Sequence, residues 1–249
     1  MKFELEICAN SVASCIEAEK GGATRVELCM GIPEGGTTPS AGMIREALDA
    51  IKIPVHVIIR PRSGDFHYSA EELREMAYDI RLAKEMGAHG VVFGCLTPEG
   101  EYDVSANRML LKEAEGMQIT FHRAFDVCRN PHLLLQTLIA EGGFTRILTS
   151  GCAPTAPEGA DLIHQLVEEA QDRIGIMAGC GVRPANLEAL AKTSGAHMFH
   201  SSLRKNVESE MVFRRKEVSM GGTVQIEEYA NQQTSADLVR TAVRTLENL

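Results

Sequence analysis

Eight short apolar runs, each followed by a segment with helical periodicity, constrain the fold of this 249-residue chain more than any other feature. The runs are rich in β-branched residues, as strands buried on both faces are. They are predicted at residues 3–8, 25–29, 55–60, 90–95, 118–125, 146–150, 174–179 and 197–201. A strand followed by a helix, repeated eight times in a chain of about 250 residues, predicts a single-domain α/β protein with a (β/α)8 TIM barrel over residues 1–249.

A doubly wound open sheet is the alternative fold, because it alternates strands and helices in the same way. That fold would normally bring a glycine-rich dinucleotide turn or a P-loop after an early strand, and neither G-x-G-x-x-G nor G-x-x-x-x-G-K-[ST] occurs. The barrel is therefore favoured. The least regular stretch, 203–233, is predicted to be a long loop after strand eight or a subunit contact, and 234–248 to be the last helix.

Charge and cysteine content narrow the range of partners. The chain has 25 basic and 34 acidic residues, a formal net charge of −9, and no basic stripe interleaved with aromatic residues, so we do not expect it to bind nucleic acid. No apolar run is long enough to cross a bilayer, and the first residues lack the apolar core of a signal peptide. The 7 cysteines contain no C-x-x-C pair, which favours free thiols in a reducing compartment. We expect a cytoplasmic protein without a membrane partner.

Two early strands share an unusual pattern. In "LEICA" (5–9) and "VELCM" (26–30) a glutamate precedes a cysteine by two residues. Side chains alternate along a strand, and the apolar set must meet the surrounding helices. Glu6 and Cys8 of the first strand, and Glu27 and Cys29 of the second, are therefore predicted to point into the barrel. The cysteines should lie nearest its C-terminal mouth, where barrel proteins keep their sites.

The same alternation places Arg60 of strand three and His122 and Asp126 of strand five inside the barrel. Together with Glu6 and Glu27 they form a predicted ring of buried charge. Buried carboxylates are costly unless they are paired, and the two arginines of "VHVIIRPR" are the expected partners. Such a ring could carry out acid/base catalysis, and an arginine could hold a carboxylate or phosphate. The alternative is a buried ion network that fixes the barrel register.

The spacing of Cys8 and Cys29 permits a metal site. Neighbouring strands lie about 4.8 Å apart, and two metal–sulfur bonds of roughly 2.3 Å span about 4.6 Å when they are collinear. Two thiolates at matching heights could hold a soft, two-coordinate ion, for which Cu(I) is the biological choice. The stagger of barrel strands could instead put the sulfurs at different heights, and a buried free cysteine is commonly a core residue.

The turns after strands six, seven and eight are built from small residues that leave backbone N–H groups exposed. Loops in these positions commonly hold an anion in this fold. The predicted anion-binding residues are Ser150, Gly151, Gly179, Gly181 and Ser201. Equally, the glycines could serve only to permit tight turns.

These motifs together resemble the CutC family, whose members are labelled copper homeostasis proteins. The similarity runs from "LEICANS" through "RVELC", "GGTTPS", "IRPRSGDFHYS", "VVFGCLT", "FHRAFD", "ILTSG" and "AGCGV" to "FHSS", and covers nearly every predicted strand. The resemblance implies a TIM barrel, a cytoplasmic location, a homo-oligomer (a dimer or tetramer) and a role in copper handling. The family's proposed copper ligands fall on Cys8 and Cys29.

Three hypotheses for function follow. In the first, the protein binds copper as Cu(I) through Cys8 and Cys29 and buffers the ion or hands it on. In the second, it is a metabolic enzyme that performs acid/base chemistry on a small anionic or phosphorylated molecule at the mouth. In the third, it is an interaction module that docks through 203–233. Whether the chain is an enzyme is left open by the residues alone.

Overall fold

The computed structural model describes residues 3–215, 217–218, 220 and 227–249. Eight parallel strands close into a barrel in chain order, which confirms the predicted TIM barrel. The strands are β1 (Glu4–Ala9), β2 (Arg25–Leu28), β3 (Val55–Ile58), β4 (Gly90–Phe93), β5 (Gln118–Phe121), β6 (Arg146–Thr149), β7 (Gly175–Gly179) and β8 (Met198–Ser201). The helices are α1 (Val12–Gly21), α2 (Ala41–Ala50), α3 (Ala70–Glu85), α4 (Val104–Glu113), α5 (Pro131–Glu141), α6 (Ala160–Ala170), α7 (Pro184–Ser194) and α8 (Ala236–Glu247).

Local sequence signals explain where the helices begin. Ser69 and Glu72 form a reciprocal capping box at the start of α3. The side chain of Asn130 accepts the N–H of Leu133 at the start of α5, and Pro131 occupies the first helical position. Among the described helices, none is both long and apolar enough to span a bilayer.

The main hydrophobic core lies between the barrel and its ring of helices. The apolar residues of each strand face outward into this core, and Ile7, Phe93, Phe121 and Phe199 are fully buried there. This is the division that strand alternation predicts, because the helices supply the only large apolar surface that the strands can cover.

The inward side chains form layers of four, drawn alternately from even-numbered and odd-numbered strands, as the strand stagger of this fold requires. From the N-terminal end towards the mouth the layers are Arg25, Gly90, Arg146 and Met198; then Glu6, His56, Thr120 and Met177; then Glu27, Val92, Leu148 and His200; and then Cys8, Ile58, His122 and Gly179. The lower layers are therefore rich in charge. Apolar contact inside the barrel is concentrated near the mouth, in a cluster of Cys29, Ile58 and Val92.

The segment 203–233 differs from the predicted long loop. Its ends form two antiparallel strands, β9 (Arg204–Glu208) and β10 (Ala230–Thr234). Their sequences, "RKNVE" and "ANQQT", are polar and carry little strand propensity, so the pairing depends on anchoring to the barrel. Thr234 provides much of that anchor, because its N–H donates to Ser14 Oγ and its hydroxyl donates to the carbonyl of Ser202. Residues 216, 219 and 221–226 of the predicted loop lie outside the described residues.

A pair of glycine substitutions tests how tightly α8 packs against α1. A Cβ on Gly21 of α1 would overlap Val239 Cβ and lie 2.9 Å from the carbonyl oxygen of Ala236, at the start of α8. Gly42 of α2 has only Ser40 Oγ within 4 Å, at 3.9 Å. We expect Gly21→Ala to lower the free energy of unfolding by about 1–3 kcal/mol through overpacking. Gly42→Ala should raise it by about 0.5 kcal/mol, because alanine favours the helix.

Urea unfolding of the two variants and the wild type measures both effects. A stabilising Gly21→Ala would show that α1 and α8 are packed more loosely than the structure has them.

Candidate functional site

Cys8 and Cys29 meet at the mouth of the barrel. The strand register pairs Cys8 of β1 with Glu27 of β2. Cys29 follows Glu27 by two residues, so it lies closer to the mouth than Cys8 does. The two cysteines thus do not lie at matching heights, yet their side chains converge and the Sγ atoms are 3.5 Å apart. Cys29 is fully buried, whereas Cys8 is partly exposed. The sequence therefore predicted their inward direction, and the structure shows their contact.

His200 joins this pair, although it is not among the site residues predicted from the sequence. It lies near the end of β8, and one of its ring nitrogens, one Glu27 oxygen and the sulfur of Cys8 all lie within 4.8 Å of one another. His200 Nε2 is 3.8 Å from Glu27 Oε2. A cluster of thiol, imidazole and carboxylate groups is a set of donors that could hold a metal ion. Applying strand alternation to β8 would have placed His200 on its inward face.

Glu6 is the fully buried carboxylate beneath this cluster. Arg25 Nε donates to Glu6 Oε2 at 2.5 Å, and His200 Nδ1 lies 2.7 Å from Glu6 Oε1. Burial on its own would raise the pKa of Glu6, but the charges of Arg25 and His200 outweigh it and hold that pKa well below its usual value. Glu6 is therefore ionised, and it fixes the ring of His200 from below.

The groups nearest the cysteines have shifted pKa values of their own. Burial raises the pKa of Glu27 well above its usual value, with the neighbouring Cys8 and Glu6 adding to the shift. Burial on its own would lower the pKa of His200, but the neighbouring Glu27, Cys8 and Glu6 outweigh it and raise that pKa well above its usual value. The hydrogen bond to Cys29, together with burial, raises the pKa of Cys8. A cation that binds here must therefore compete with protons.

Arg60 does not neutralise the buried carboxylates, so this part of the predicted ring is wrong. Strand β3 ends at Ile58, and the Arg60 guanidinium turns into the loops that follow β2 and β3. Nη1 donates to the carbonyls of Glu34 and Gly36 at 3.0 Å, and Nη2 donates to that of Gly64 at 2.9 Å. Arg60 thus braces two mouth loops, and Arg25, which begins β2, neutralises Glu6 instead.

Asp126 also differs from its predicted position, because β5 ends at Phe121 and a 3-10 helix over Arg123–Val127 follows. This turn carries Asp126 to the end of β6. There its carboxylate accepts hydrogen bonds from the backbone N–H groups of Ser150 and Cys152 and the Thr149 hydroxyl. It also pairs with Arg123 at 2.7 Å. With its oxygens so fully engaged, Asp126 is a brace for the loop after β6 rather than an available base.

His122 is the remaining member of the predicted ring, and it lies across the barrel from Cys8. Its Nδ1 accepts the N–H of Ala124 at 3.3 Å, and its ring packs against Phe66 at an interplanar angle of 60°, with centroids 4.7 Å apart. Burial, together with the charge of Arg60, lowers the pKa of His122 to about 3. The imidazole is therefore neutral and carries its proton on Nε2, which is buried without a hydrogen-bond partner in the structure.

The predicted anion-binding residues do not converge on one set of free donors. The Ser150 N–H is bound to Asp126, the Gly151 N–H donates to Thr149 Oγ1 at 2.9 Å, and the Ser201 hydroxyl donates to the Val182 carbonyl at 2.6 Å. Packing explains Gly179, because a Cβ there would overlap Leu148 Cδ1. Gly181 has a φ of +71°, which suits a glycine turn. The turn interpretation thus accounts for most of these residues.

The other cysteines near strand ends lie apart from Cys8 and Cys29. Cys95 is buried in the outer core. Cys152 Sγ lies 3.9 Å from the Phe125 carbonyl oxygen, and Cys180 Sγ lies 3.2 Å from that of Pro154. The described thiols that meet inside the barrel are thus those of the first two strands.

The chain is similar over most or all of its length to proteins of the CutC family. The sequence model of the CutC family matches residues 3–205. A CutC family protein of Porphyromonas gingivalis is 64% identical over 249 residues, which is 100% of both chains. The copper homeostasis protein cutC homolog of Homo sapiens is 45% identical over 247 residues, which cover 99% of this chain and 90% of the human one. The crystal structure of CutC from Streptococcus agalactiae superposes with a TM-score of 0.77 at 37% identity, over 80% of this chain and 98% of that one.

The buried neutral state of His122 has a consequence for stability. Its pKa of about 3 in the folded protein lies below the ordinary 6.5, so only the unfolded chain takes up this proton as the pH falls from 6.5 towards 3. Stability is lost through that window, at up to about 1.4 kcal/mol per pH unit. In His122→Gln this contribution is absent. The difference in unfolding free energy between wild type and variant should therefore shrink by about 2 kcal/mol between pH 7 and pH 5.

Urea unfolding at pH 7, 6 and 5 measures this difference. Curves that stay parallel over the range would mean that His122 is protonated, or solvated, in the folded protein.

Proposed function

The chain belongs to the CutC family of copper homeostasis proteins, and on that premise we propose that it binds Cu(I) at the mouth of its barrel and buffers the ion or hands it on in the cytoplasm. The observation that carries the proposal is the 3.5 Å contact between the sulfurs of Cys8 and Cys29, beside His200. Two thiols and an imidazole are soft donors of the kind that Cu(I) prefers.

The separation of the sulfurs favours a bent site over the linear one considered from sequence. With metal–sulfur bonds of roughly 2.3 Å, sulfurs 3.5 Å apart subtend an angle of about 100° at the ion. A bent pair leaves room for a third donor, and a ring nitrogen of His200 lies within 4.8 Å of Cys8 Sγ. Glu6 holds the other ring nitrogen, as a carboxylate commonly does for a metal-binding histidine. Glu27 offers only oxygen, a hard donor, so we assign it a hydrogen-bonding role beside Cys8.

A cytoplasmic location and a homo-oligomer complete the proposal. The cytoplasmic location is proposed from the family resemblance and from the 7 cysteines of the sequence, which contain no C-x-x-C pair. A dimer or tetramer is proposed from the family resemblance alone.

The test is an anaerobic Cu(I) titration against a competing chelator. We expect tight one-to-one binding by the wild type and a loss of at least about 100-fold in affinity for Cys8→Ser with Cys29→Ser, because hydroxyl oxygen is a poor donor for a soft ion. The matched control is Cys152→Ser with Cys180→Ser, which removes two thiols at the same end of the barrel. Equal Cu(I) binding by the wild type and the Cys8/Cys29 variant would reject the site. Weaker binding by the control variant would show that Cys152 or Cys180 takes part in binding the ion.

A second candidate function is an enzyme that acts on a small anionic or phosphorylated molecule. It is favoured by buried polar atoms that the copper site leaves without partners: Nε2 of His122, Oε1 of Glu27 and Nε of Arg60. The neutral His122 ring could donate a proton, and the Glu27 carboxyl could exchange one. A carrier that holds its ion through sulfur has no need for His122 on the far side of the barrel.

A thermal-shift screen tests this candidate. If it is correct, a phosphorylated or carboxylated metabolite raises the melting temperature of the wild type and has a smaller effect on His122→Gln. Cu(I) should shift both proteins equally, since the ion lies on the opposite side. No response to any metabolite, with a large response to Cu(I), would remove the enzyme hypothesis.

A further inference from the structure

Arg204, the first residue of β9, reaches over the rim of the barrel to Cys8. Its Nη2 lies 3.2 Å from the Cys8 carbonyl oxygen and 3.5 Å from Cys8 Sγ. It lies within 203–233, which the sequence predicts to be a long loop or a subunit contact. In the structure it is the guanidinium group in contact with the sulfur of a proposed copper ligand.

The backbone around Arg204 holds this position. Leu203 has a φ of +43°, a left-handed conformation that is uncommon for a residue with a side chain, and its own side chain is buried. Arg204 then pairs with Thr234 across the two-stranded sheet, and the Ser235 N–H donates to the Leu203 carbonyl at 2.9 Å. Asn10, just past β1, donates to the Gln232 carbonyl. The strand that carries the arginine is therefore fixed to the strand that carries Cys8.

Arg204 forms no ion pair with a carboxylate of the described residues. Over the same part of the chain, its Nε is buried without a hydrogen-bond partner. Arginine remains protonated in proteins. Within the described residues, a permanent positive charge on the half-buried Arg204 therefore contacts Cys8 without an ion-pair partner, and it would stabilise negative charge at the sulfur.

We infer that Arg204 determines ion selectivity at the proposed site, favouring a monovalent soft cation over a divalent one; the inference rests on the proposed binding by Cys8 and Cys29. Two thiolates that hold a monovalent ion keep one net negative charge, which the guanidinium offsets. With the same two thiolates a divalent ion leaves no net charge, and its repulsion by the guanidinium is twice as large. One unit of charge at about 4 Å is worth from about fivefold in bulk water to several hundredfold near a protein surface, and tenfold is a low value that allows for the solvent around the half-buried Arg204.

The experiment compares Cu(I) with Cd(II), a soft divalent ion, in anaerobic competition titrations. We expect Arg204→Met, which removes the charge and keeps an apolar chain, to lower the ratio of Cu(I) to Cd(II) affinity about tenfold. Arg204→Lys, which keeps the charge, should leave the ratio within about threefold of the wild type. Lys205→Met is the matched control, because it removes one positive charge from the next, exposed residue of the same strand. Its ratio should not change.

The outcomes separate this inference from the proposed function. If Cu(I) binding by the wild type does not depend on Cys8 and Cys29, the proposed function fails first. If it does depend on them and Arg204→Met leaves the ratio unchanged, only the inference is overturned. A drop in Arg204→Lys as large as that in Arg204→Met also overturns it, because hydrogen bonding or packing, rather than charge, would then be responsible. Urea unfolding of each variant establishes that the proteins compared are folded.

Discussion

The buried carboxylate of Glu6 is the group on which the rest of the barrel interior depends. It is fully enclosed, so its charge must be balanced by protein atoms. Its partners come from both neighbouring strands, Arg25 from β2 and His200 from β8. These contacts link the strands on either side of β1, where the barrel closes. Removing one partner of such a buried pair typically costs about 3–5 kcal/mol, because the remaining charge is left uncompensated.

The same interaction connects the fold to the site. Glu6 binds one ring nitrogen of His200, and this leaves the other nitrogen facing Cys8 and Glu27. The barrel interior thus changes in character along its axis, from ionic groups below to sulfur and apolar side chains near the mouth. A soft cation at Cys8 and Cys29 would lie on the mouth side of Glu6, whose charge Arg25 and His200 already balance. Arg204 of β9 contacts Cys8 at the rim of the barrel, and hydrogen bonds to the barrel hold the two-stranded sheet that carries it.

Strand periodicity predicted this interior well wherever the strands continue. Glu6, Cys8 and Glu27 face inward as alternation requires, because the outer face must be apolar to meet the helices. Cys29, the first residue after β2, keeps the same direction. The predictions failed from the second residue past a strand end onward. β3 stops before Arg60 and β5 stops before Asp126, and in turns the two-residue period no longer fixes where a side chain points. Those two residues brace loops, through backbone carbonyls in one case and backbone N–H groups in the other.

The sequence by itself determined the barrel, the order of its strands and which residues of each strand point inward, since these follow from local periodicity and the burial of apolar surface. Only the tertiary structure decided which inward residues meet. Strand stagger and barrel closure bring Cys8 to Cys29 and His200, although β1 and β8 lie at opposite ends of the chain. The left-handed turn at Leu203 and the anchoring of β10 then bring Arg204 to the same sulfur. Such contacts depend on the relative heights of strands and on loop paths, which a periodic pattern in one strand does not contain.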